Sequence, residues 1–256
     1  MRHLMLRLLL VAVVVGFAEY GAGATEPQVA QSSMNAMTVS QLEKAGDAAR
    51  FQKDYELAIQ YFATALRKDP RNALIYNKMG LAKLKNNDST GAREAFQKAV
   101  KINSKYTDAP NNLGAVDYMR SNFKSAAKQF KRAVALDETR ATFHVNLGAA
   151  WFAQKKMERA VAEYARALEL DPEALSTPSK TGVAAQIASP EERAKYSYIL
   201  AKIHAKRGDA EQCFRCLRVA KDEGYRDLGN VYKDEEFSSL WKDPRLAEIV
   251  PPPAPK

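Results

Sequence analysis

The chain has 256 residues, of which 46% are hydrophobic, enough to bury the core of one or two domains. Its 39 lysines and arginines outnumber its 30 acidic residues, so charge alone favours a nucleic acid, an anionic surface or an acidic protein as partner. Only two cysteines are present, which excludes a small scaffold held together by several disulfides.

The N-terminal segment has the order of features of a secretory signal peptide. Arg2 and Arg7 precede an unbroken apolar run at 8–18, and small residues follow up to Ala24. The run is shorter than the roughly 20 residues of a membrane-spanning helix. We therefore expect 1–24 to be a signal peptide cleaved after Ala24 and the protein to be exported, either periplasmic or secreted, with an uncleaved anchor as the alternative. Export argues against nucleic acid as a partner.

Residues 25–38 are mostly small and polar and predict a flexible linker. The segment 39–172 then repeats with a period of 34 residues. Four positions of the block carry the pattern: glycine at 8, alanine at 20 and 27, and an aromatic residue at 24. These residues are Gly46, Gly80, Gly114 and Gly148; Ala58, Ala92, Ala126 and Ala160; Ala65, Ala99, Ala133 and Ala167; and Phe62, Phe96, Phe130 and Tyr164. Such a period predicts a stack of helical hairpins, each burying its apolar face against its neighbours.

Each block contains its own turn. Positions 14–16 are polar in every block, as in Gln52-Lys53-Asp54, and this break between two apolar-periodic segments predicts an αα-hairpin. The small residues predict a close crossing of the two helices. Pro70 and Pro172, at position 32, end the second helix of their blocks.

This pattern resembles the tetratricopeptide repeat family, whose signature includes Leu-Gly at positions 7 and 8 and an aromatic residue at 11. Leu113-Gly114 and Leu147-Gly148 reproduce the pair, whereas position 11 is aromatic only at Trp151. The resemblance implies an all-α fold, a right-handed α-solenoid of helical hairpins. The four predicted repeats are 39–72, 73–106, 107–140 and 141–174.

After the fourth block the register breaks. Residues 175–193 are rich in serine, threonine and proline and predict an inserted loop, at the end of which Ser189-Pro190 has the pattern of a helix start. Three further segments are predicted: a degenerate fifth repeat at 194–224, a short helical C-terminal cap at 225–250, and a proline-rich tail at 251–256.

The residues able to do chemistry are few. Cys213 and Cys216 have C-x-x-C spacing but fall inside a predicted second helix, away from the helix N-terminus that lowers a thiol pKa. Packing is the favoured interpretation, and a local disulfide or thiol redox chemistry is the alternative. His144 and His204 occupy packing positions in separate repeats. We therefore predict no catalytic, metal or cofactor site, and a protein that is not an enzyme.

One helix face is strongly basic. Arg120, Lys124, Lys128, Lys131 and Arg132 follow one another with no acidic residue between them. The lysine spacing places them on or near one face of the second helix of the third hairpin. This face is either a solvated outer surface or a contact with an anionic envelope surface, such as a membrane or envelope polymer, or with an acidic partner.

The resemblance implies that the first helix of each hairpin lines a concave groove, with positions 2, 5, 6, 9, 12 and 13 on one face. The candidate partner-binding residues are Asn77, Lys78, Leu81, Asn111, Asn112, Tyr118, Asn146 and Phe152. Side-chain amides at position 6 donate and accept hydrogen bonds, so they can hold an extended peptide backbone. Bonds within the hairpin or to water are the alternative. A Lys-Asn clamp for a C-terminal carboxylate is not expected, because Glu43 and Asp47 stand at positions 5 and 9 of the first block.

The sequence therefore favours an exported scaffold that binds a protein or peptide segment in its concave groove, in envelope assembly or secretion. An adaptor held on an anionic envelope surface by its basic face is one alternative. A thiol redox protein using Cys213 and Cys216 is the other.

Overall fold

The computed structural model of the chain describes residues 32–175 and 190–253. The predicted signal peptide with its cleavage site, the first half of the linker, most of the inserted loop and the last three residues of the tail lie outside the described residues. Residues 32–36 form a short helix in a unit separate from 38–256, so this part of the predicted flexible linker is helical. No helix among the described residues combines the length and the apolar character needed to span a bilayer.

Four helical hairpins follow in chain order. They are α1 (Val39–Phe51) with α2 (Tyr55–Lys68), α3 (Ala73–Lys85) with α4 (Ser89–Ile102), α5 (Asp108–Met119) with α6 (Phe123–Leu136), and α7 (Ala141–Ala153) with α8 (Met157–Leu170). Each helix packs on the helices before and after it, and the first helices of neighbouring hairpins also touch. The stack of hairpins expected from the period is thus confirmed, and it has the right-handed α-solenoid fold that the resemblance implies.

The turns form where the polar breaks lie. Asp54 accepts a hydrogen bond from the Leu57 amide and caps α2, and Asp88 does the same for α4 through Gly91. Position 15 of each block adopts a left-handed backbone, with φ between 59° and 63° at Lys53, Asn87, Ser121 and Lys155. The turn positions predicted from the sequence are thus the ones that reverse the chain.

The repeated glycine and the repeated aromatic residue contact each other within each hairpin. A Cβ atom added to Gly46 would lie 2.5 Å from the ring of Phe62, closer than packed carbon atoms approach. The same pair recurs as Gly80–Phe96, Gly114–Phe130 and Gly148–Tyr164. All four aromatic side chains are fully buried, so the glycine at position 8 makes the space that position 24 fills.

A fifth hairpin consists of α9 (Pro190–Lys206) and α10 (Ala210–Asp222). Helix α9 begins at Pro190, as the Ser189-Pro190 pattern indicates, so the last four residues of the predicted loop at 175–193 are helical. The helix starts there because proline is well tolerated in a first turn, where no amide donor is needed.

The C-terminal residues cover the last hairpin. Two 3₁₀ turns (Leu228–Tyr232 and Glu235–Leu240) and α11 (Pro244–Ile249) follow α10. Val231, Phe237 and Leu246 are fully buried in one cluster with Phe214 and Leu217 of α10. This is the short helical cap expected from the sequence. The first of its two expected helices is a 3₁₀ turn at 235–240, and a further 3₁₀ turn lies at 228–232.

Candidate partner-binding site

A row of polar side chains joins the first helices of successive hairpins. The Asn112 Nδ2 atom donates to Asn77 Oδ1 at 3.0 Å, and Asn146 Nδ2 donates to Asn111 Oδ1 at 2.8 Å. Between the first and second hairpins an ion pair replaces the amide pair: Lys78 Nζ donates to Glu43 Oε1 at 2.6 Å. Each bond connects position 5 of one hairpin to position 6 of the next. We call these three pairs the polar ladder.

The asparagines of the polar ladder are buried. Their exposed fractions are 4% or less, and their amides continue the network. Asn77 Nδ2 donates to the Tyr106 hydroxyl at 3.2 Å, and Asn111 Nδ2 to Asn112 Oδ1 at 3.5 Å. The amides therefore bond both between hairpins and, as in the alternative, within one repeat. Contact of these asparagines with a partner stays a prediction.

Lys78 ends the ladder between two carboxylates. Its ammonium lies 2.6 Å from Glu43 and 2.5 Å from Asp47, both on α1. Burial lowers the Lys78 pKa, but the hydrogen bonds to Asp47 and Glu43 more than offset this, and the pKa lies above its ordinary value. The positions of the family's carboxylate clamp thus carry acidic side chains that are already neutralised by a lysine.

The other end of the row is aromatic. Phe152 packs edge-on against Tyr196 of α9, with ring centroids 6.2 Å apart. Tyr118 meets Phe123 in the same way at 5.1 Å, and burial, with a smaller contribution from the charge of Glu192, raises its pKa to about 12. Among the eight predicted groove residues, only Lys78 and Leu81 are partly exposed.

Two exposed apolar side chains were not among the predicted site residues. Phe51 is 91% exposed and Met119 is 60% exposed, and both end a first helix at position 13 of their block. Position 13 belongs to the predicted groove face, so extending the list to that position would have found them. Lys85 occupies the same position in the hairpin between them and is also exposed.

The cysteines do not form a redox site. Both thiols are free; Cys213 is fully buried and Cys216 is half-buried. Burial raises the pKa of Cys213 to about 12 and that of Cys216 to about 11. A reactive thiol requires the opposite shift, so the structure argues against the redox alternative.

The two histidines are separate structural residues. His144 has Nδ1 at 2.7 Å from Glu163 Oε2 and Nε2 at 3.0 Å from the Glu138 carbonyl oxygen. His204 packs in the fifth hairpin, where burial lowers its pKa. Within 32–175 and 190–253, no group of three or more His, Cys, Asp or Glu side chains is arranged to hold a metal ion.

Comparison with known proteins supports the repeat assignment. A family profile described as "Tetratricopeptide repeat" matches residues 43–107 and 115–174. No curated protein matches the chain.

Several solved structures share the fold. Pseudomonas aeruginosa pilF aligns at a TM-score of 0.54 and 17% identity, over 87% of this chain and 94% of that one. MamA from Desulfovibrio magneticus RS-1 aligns at 0.53 and 19%, over 74% and 97%. YrrB, described as "a TPR protein with an unusual peptide-binding site", aligns at 0.52 and 19%, over 81% and 96%. At these identities the likeness concerns the fold.

Proposed function

This chain belongs to the tetratricopeptide repeat family, and from that premise we propose that it is an exported scaffold that binds an extended segment of a partner along its first helices. The repeats are protein-interaction modules and not an enzyme. The peptide-binding site named for YrrB supports the same use of this fold. Two further parts of the proposal are the face that binds the partner and the cellular compartment of the protein.

The observation that carries the proposal is the exposure of Phe51 and Met119 on the face of the first helices. Large apolar side chains left this exposed are candidate contacts for a partner, because covering them removes apolar surface from water. They end α1 and α5, two hairpins apart. A partner that covers both must therefore run across at least three hairpins.

The spacing of these side chains describes the segment that would bind. Neighbouring packed helices lie about 10 Å apart, so two hairpin steps correspond to roughly 20 Å between the ends of α1 and α5. An extended chain advances about 3.3 Å per residue, so about six residues span that distance. Lys85 ends the first helix between them and is exposed. We expect a segment with two apolar residues about six positions apart and an acidic residue between them.

The polar ladder supports this role by fixing the hairpins relative to each other. Its hydrogen bonds, buried between the asparagines and partly buried at Lys78, connect the first three pairs of neighbouring first helices. A surface that is already rigid loses little conformational entropy when it captures a chain. The asparagines would then act mainly by holding the face in shape.

The test compares capture of a partner from the native cell fraction by three forms of the protein. In the first variant, Phe51→Gln and Met119→Gln are combined, and the matched control carries Val219→Gln, an apolar residue of α10 that is 42% exposed. We expect the double variant to lose the partner and the control to retain it, with equal helicity by circular dichroism. Equal capture by all three forms would remove the first-helix face from consideration.

We further propose that the protein is exported and acts in envelope assembly or secretion. This rests on the charged, apolar and small-residue order of residues 1–24. Mass spectrometry of the protein from fractionated cells tests it. The proposal requires a mature N-terminus at Thr25 in the exported fraction, and an intact chain in the cytosol would contradict it.

A further inference from the structure

Helix α6 carries a row of lysines without counter-ions. Lys124, Lys128 and Lys131 are all exposed. Among the residues that the structure describes, none of the three forms an ion pair with an acidic side chain. Arg132 beside them is different, since its guanidinium donates to the Ser104 carbonyl oxygen at 3.3 Å. These three neighbouring lysines therefore have no acidic partner within the described part of the chain and can bind an anionic group.

The lysine row forms one wall of a cleft between the third and fourth hairpins. The cleft has a volume of about 440 Å³; Gln154 and Lys156 form its opposite wall, and the nearly buried Trp151 lies at its floor. A second cavity of about 640 Å³ adjoins it, sharing Lys124, Gln154 and Lys156, and extends to the turn at 121–123. The lysines thus line an elongated depression and do not stand on a convex ridge.

Two more cations lie on the indole at the floor. Lys156 Nζ lies 4.8 Å from the centroid of the Trp151 ring, and Arg159 Cζ lies 5.1 Å from it. Trp151 itself is only 9% exposed. The cleft therefore concentrates positive charge around an apolar floor, an arrangement that attracts an anionic ligand.

We propose that this basic cleft, formed by Lys124, Lys128, Lys131, Trp151 and Lys156, binds an acidic peptide segment in extended conformation. Lys124 and Lys128 are four residues apart, which is about 6 Å along a helix. Alternate side chains of an extended chain point the same way and recur about every 6.6 Å. A segment with aspartate or glutamate at every second position therefore places successive carboxylates opposite successive lysines.

The shape of the cleft favours a peptide over a membrane. A bilayer is flat and meets only protruding groups, whereas the indole here is the floor of the depression. Aromatic side chains that bind membranes point outward into the interface. A single chain can enter the depression and approach both walls.

The chain itself does not supply the ligand from its segments outside the described residues. Residues 176–189 contain no acidic residue, and residues 1–31 contain only Glu19 and Glu26, seven positions apart. The proposed occupant is a segment of another protein. The site consists of side chains of α6, the end of α7 and the turn after it and includes neither Phe51 nor Met119, so variants at the two sets test the two proposals separately.

The experiment measures binding of a fluorescent peptide of alternating aspartate and serine to the full chain by anisotropy. The triple variant Lys124→Gln, Lys128→Gln, Lys131→Gln is compared with a control of equal charge, Lys44→Gln, Lys101→Gln, Lys105→Gln, whose lysines are exposed elsewhere. We expect binding by the triple variant to weaken about tenfold, because each exposed charge pair contributes modestly. The control should change by less than about twofold, and added salt should weaken binding by the natural chain.

Four results would overturn the proposal: no binding of the peptide, equal binding of an asparagine-serine peptide, equal binding by the triple variant, or equal loss in the control. Binding of the chain and of the triple variant to vesicles containing phosphatidylglycerol is measured as well. If they bind through the three lysines while the peptide does not, the cleft is a membrane contact and the peptide proposal is wrong. If the triple variant does not keep its helicity, the three single variants replace it, each expected to weaken binding about twofold.

Discussion

The side-chain amide of Asn112 donates a hydrogen bond to the side-chain oxygen Oδ1 of Asn77, and both side chains are almost completely buried. The two residues are separated by one repeat plus one position, so the bond crosses from one hairpin to the next. The pairs Glu43–Lys78 and Asn111–Asn146 have the same separation. The repeat thus specifies not only each hairpin but also how neighbouring hairpins are held together.

The first prediction concerns this bond. Asn112→Ala leaves the buried Asn77 oxygen without this donor, and an unsatisfied buried group costs about 1–3 kcal/mol. We expect the free energy of unfolding to fall by that amount. Urea unfolding monitored by circular dichroism measures it. Asn122→Ala is the control, since Asn122 is exposed and its side chain does not cap α6. Equal stability of Asn112→Ala and the natural chain would mean that the ladder does not stabilise the solenoid.

The second prediction concerns the close approach inside each hairpin. In Gly80→Ala, the new Cβ would lie 2.6 Å from the Phe96 ring, which must then move within a packed core. Such overpacking costs about 1–3 kcal/mol. Gly229→Ala is the matched control, because nothing lies within 4 Å of the Cβ position there. Thermal unfolding should show a lower midpoint for Gly80→Ala alone, and similar midpoints for both variants would refute the steric explanation.

The third prediction is a pH dependence at His204. Burial lowers its pKa from the ordinary 6.5; the Asp209 carboxylate opposes this and Arg207 adds to it, while Glu173 makes a smaller contribution. Its Nδ1 lies 3.5 Å from Asp209 Oδ2 and has no hydrogen-bond partner among the described residues. The folded state therefore takes up the proton less readily than the unfolded chain, and stability decreases as the pH falls below 6.5 towards the folded pKa.

The variant His204→Gln separates this effect from other titrating groups. We expect its stability deficit against the natural chain to be largest above about pH 6.5 and to shrink as the pH falls to about 5. Urea unfolding at several pH values measures both proteins. A deficit that stays constant over this range would show that His204 does not titrate differently in the folded state.

The fourth prediction concerns the thiols. With a pKa of about 11, only about one Cys216 thiol in 10⁴ is ionised at neutral pH. Cys213, with a higher pKa and no exposure, should react still more slowly. Iodoacetamide should therefore modify both cysteines in urea and neither in the folded protein over the same time, as followed by mass spectrometry. Rapid modification of Cys216 in the folded protein would restore the redox alternative.

Much of the fold could be predicted because its determinants are local and repeated. The contact of Gly46 with Phe62 lies within one hairpin, and the turn at 52–54 lies within one polar break. Both recur in every block, so four copies reinforce the same pattern. The cap was predictable for a different reason: the end of a solenoid exposes apolar surface that must be covered.

The site was less predictable because it depends on relations between hairpins. That Asn77 meets Asn112 requires the register of one first helix against the next, which a period of 34 residues does not provide. The exposure of Phe51 and Met119 is likewise a property of the assembled stack. Trp151 could be recognised as the aromatic residue at position 11, but not as the floor of a basic cleft built from two hairpins.

Photo-crosslinking from single positions in living cells tests whether a partner lies along the first helices. A photoreactive phenylalanine analogue replaces Phe51, Met119 or, as the control, Val219 of α10, all exposed in the free protein. We predict that positions 51 and 119 crosslink to the same protein and that position 219 does not. Crosslinking from position 219 alone, or to no protein from positions 51 and 119, would contradict it.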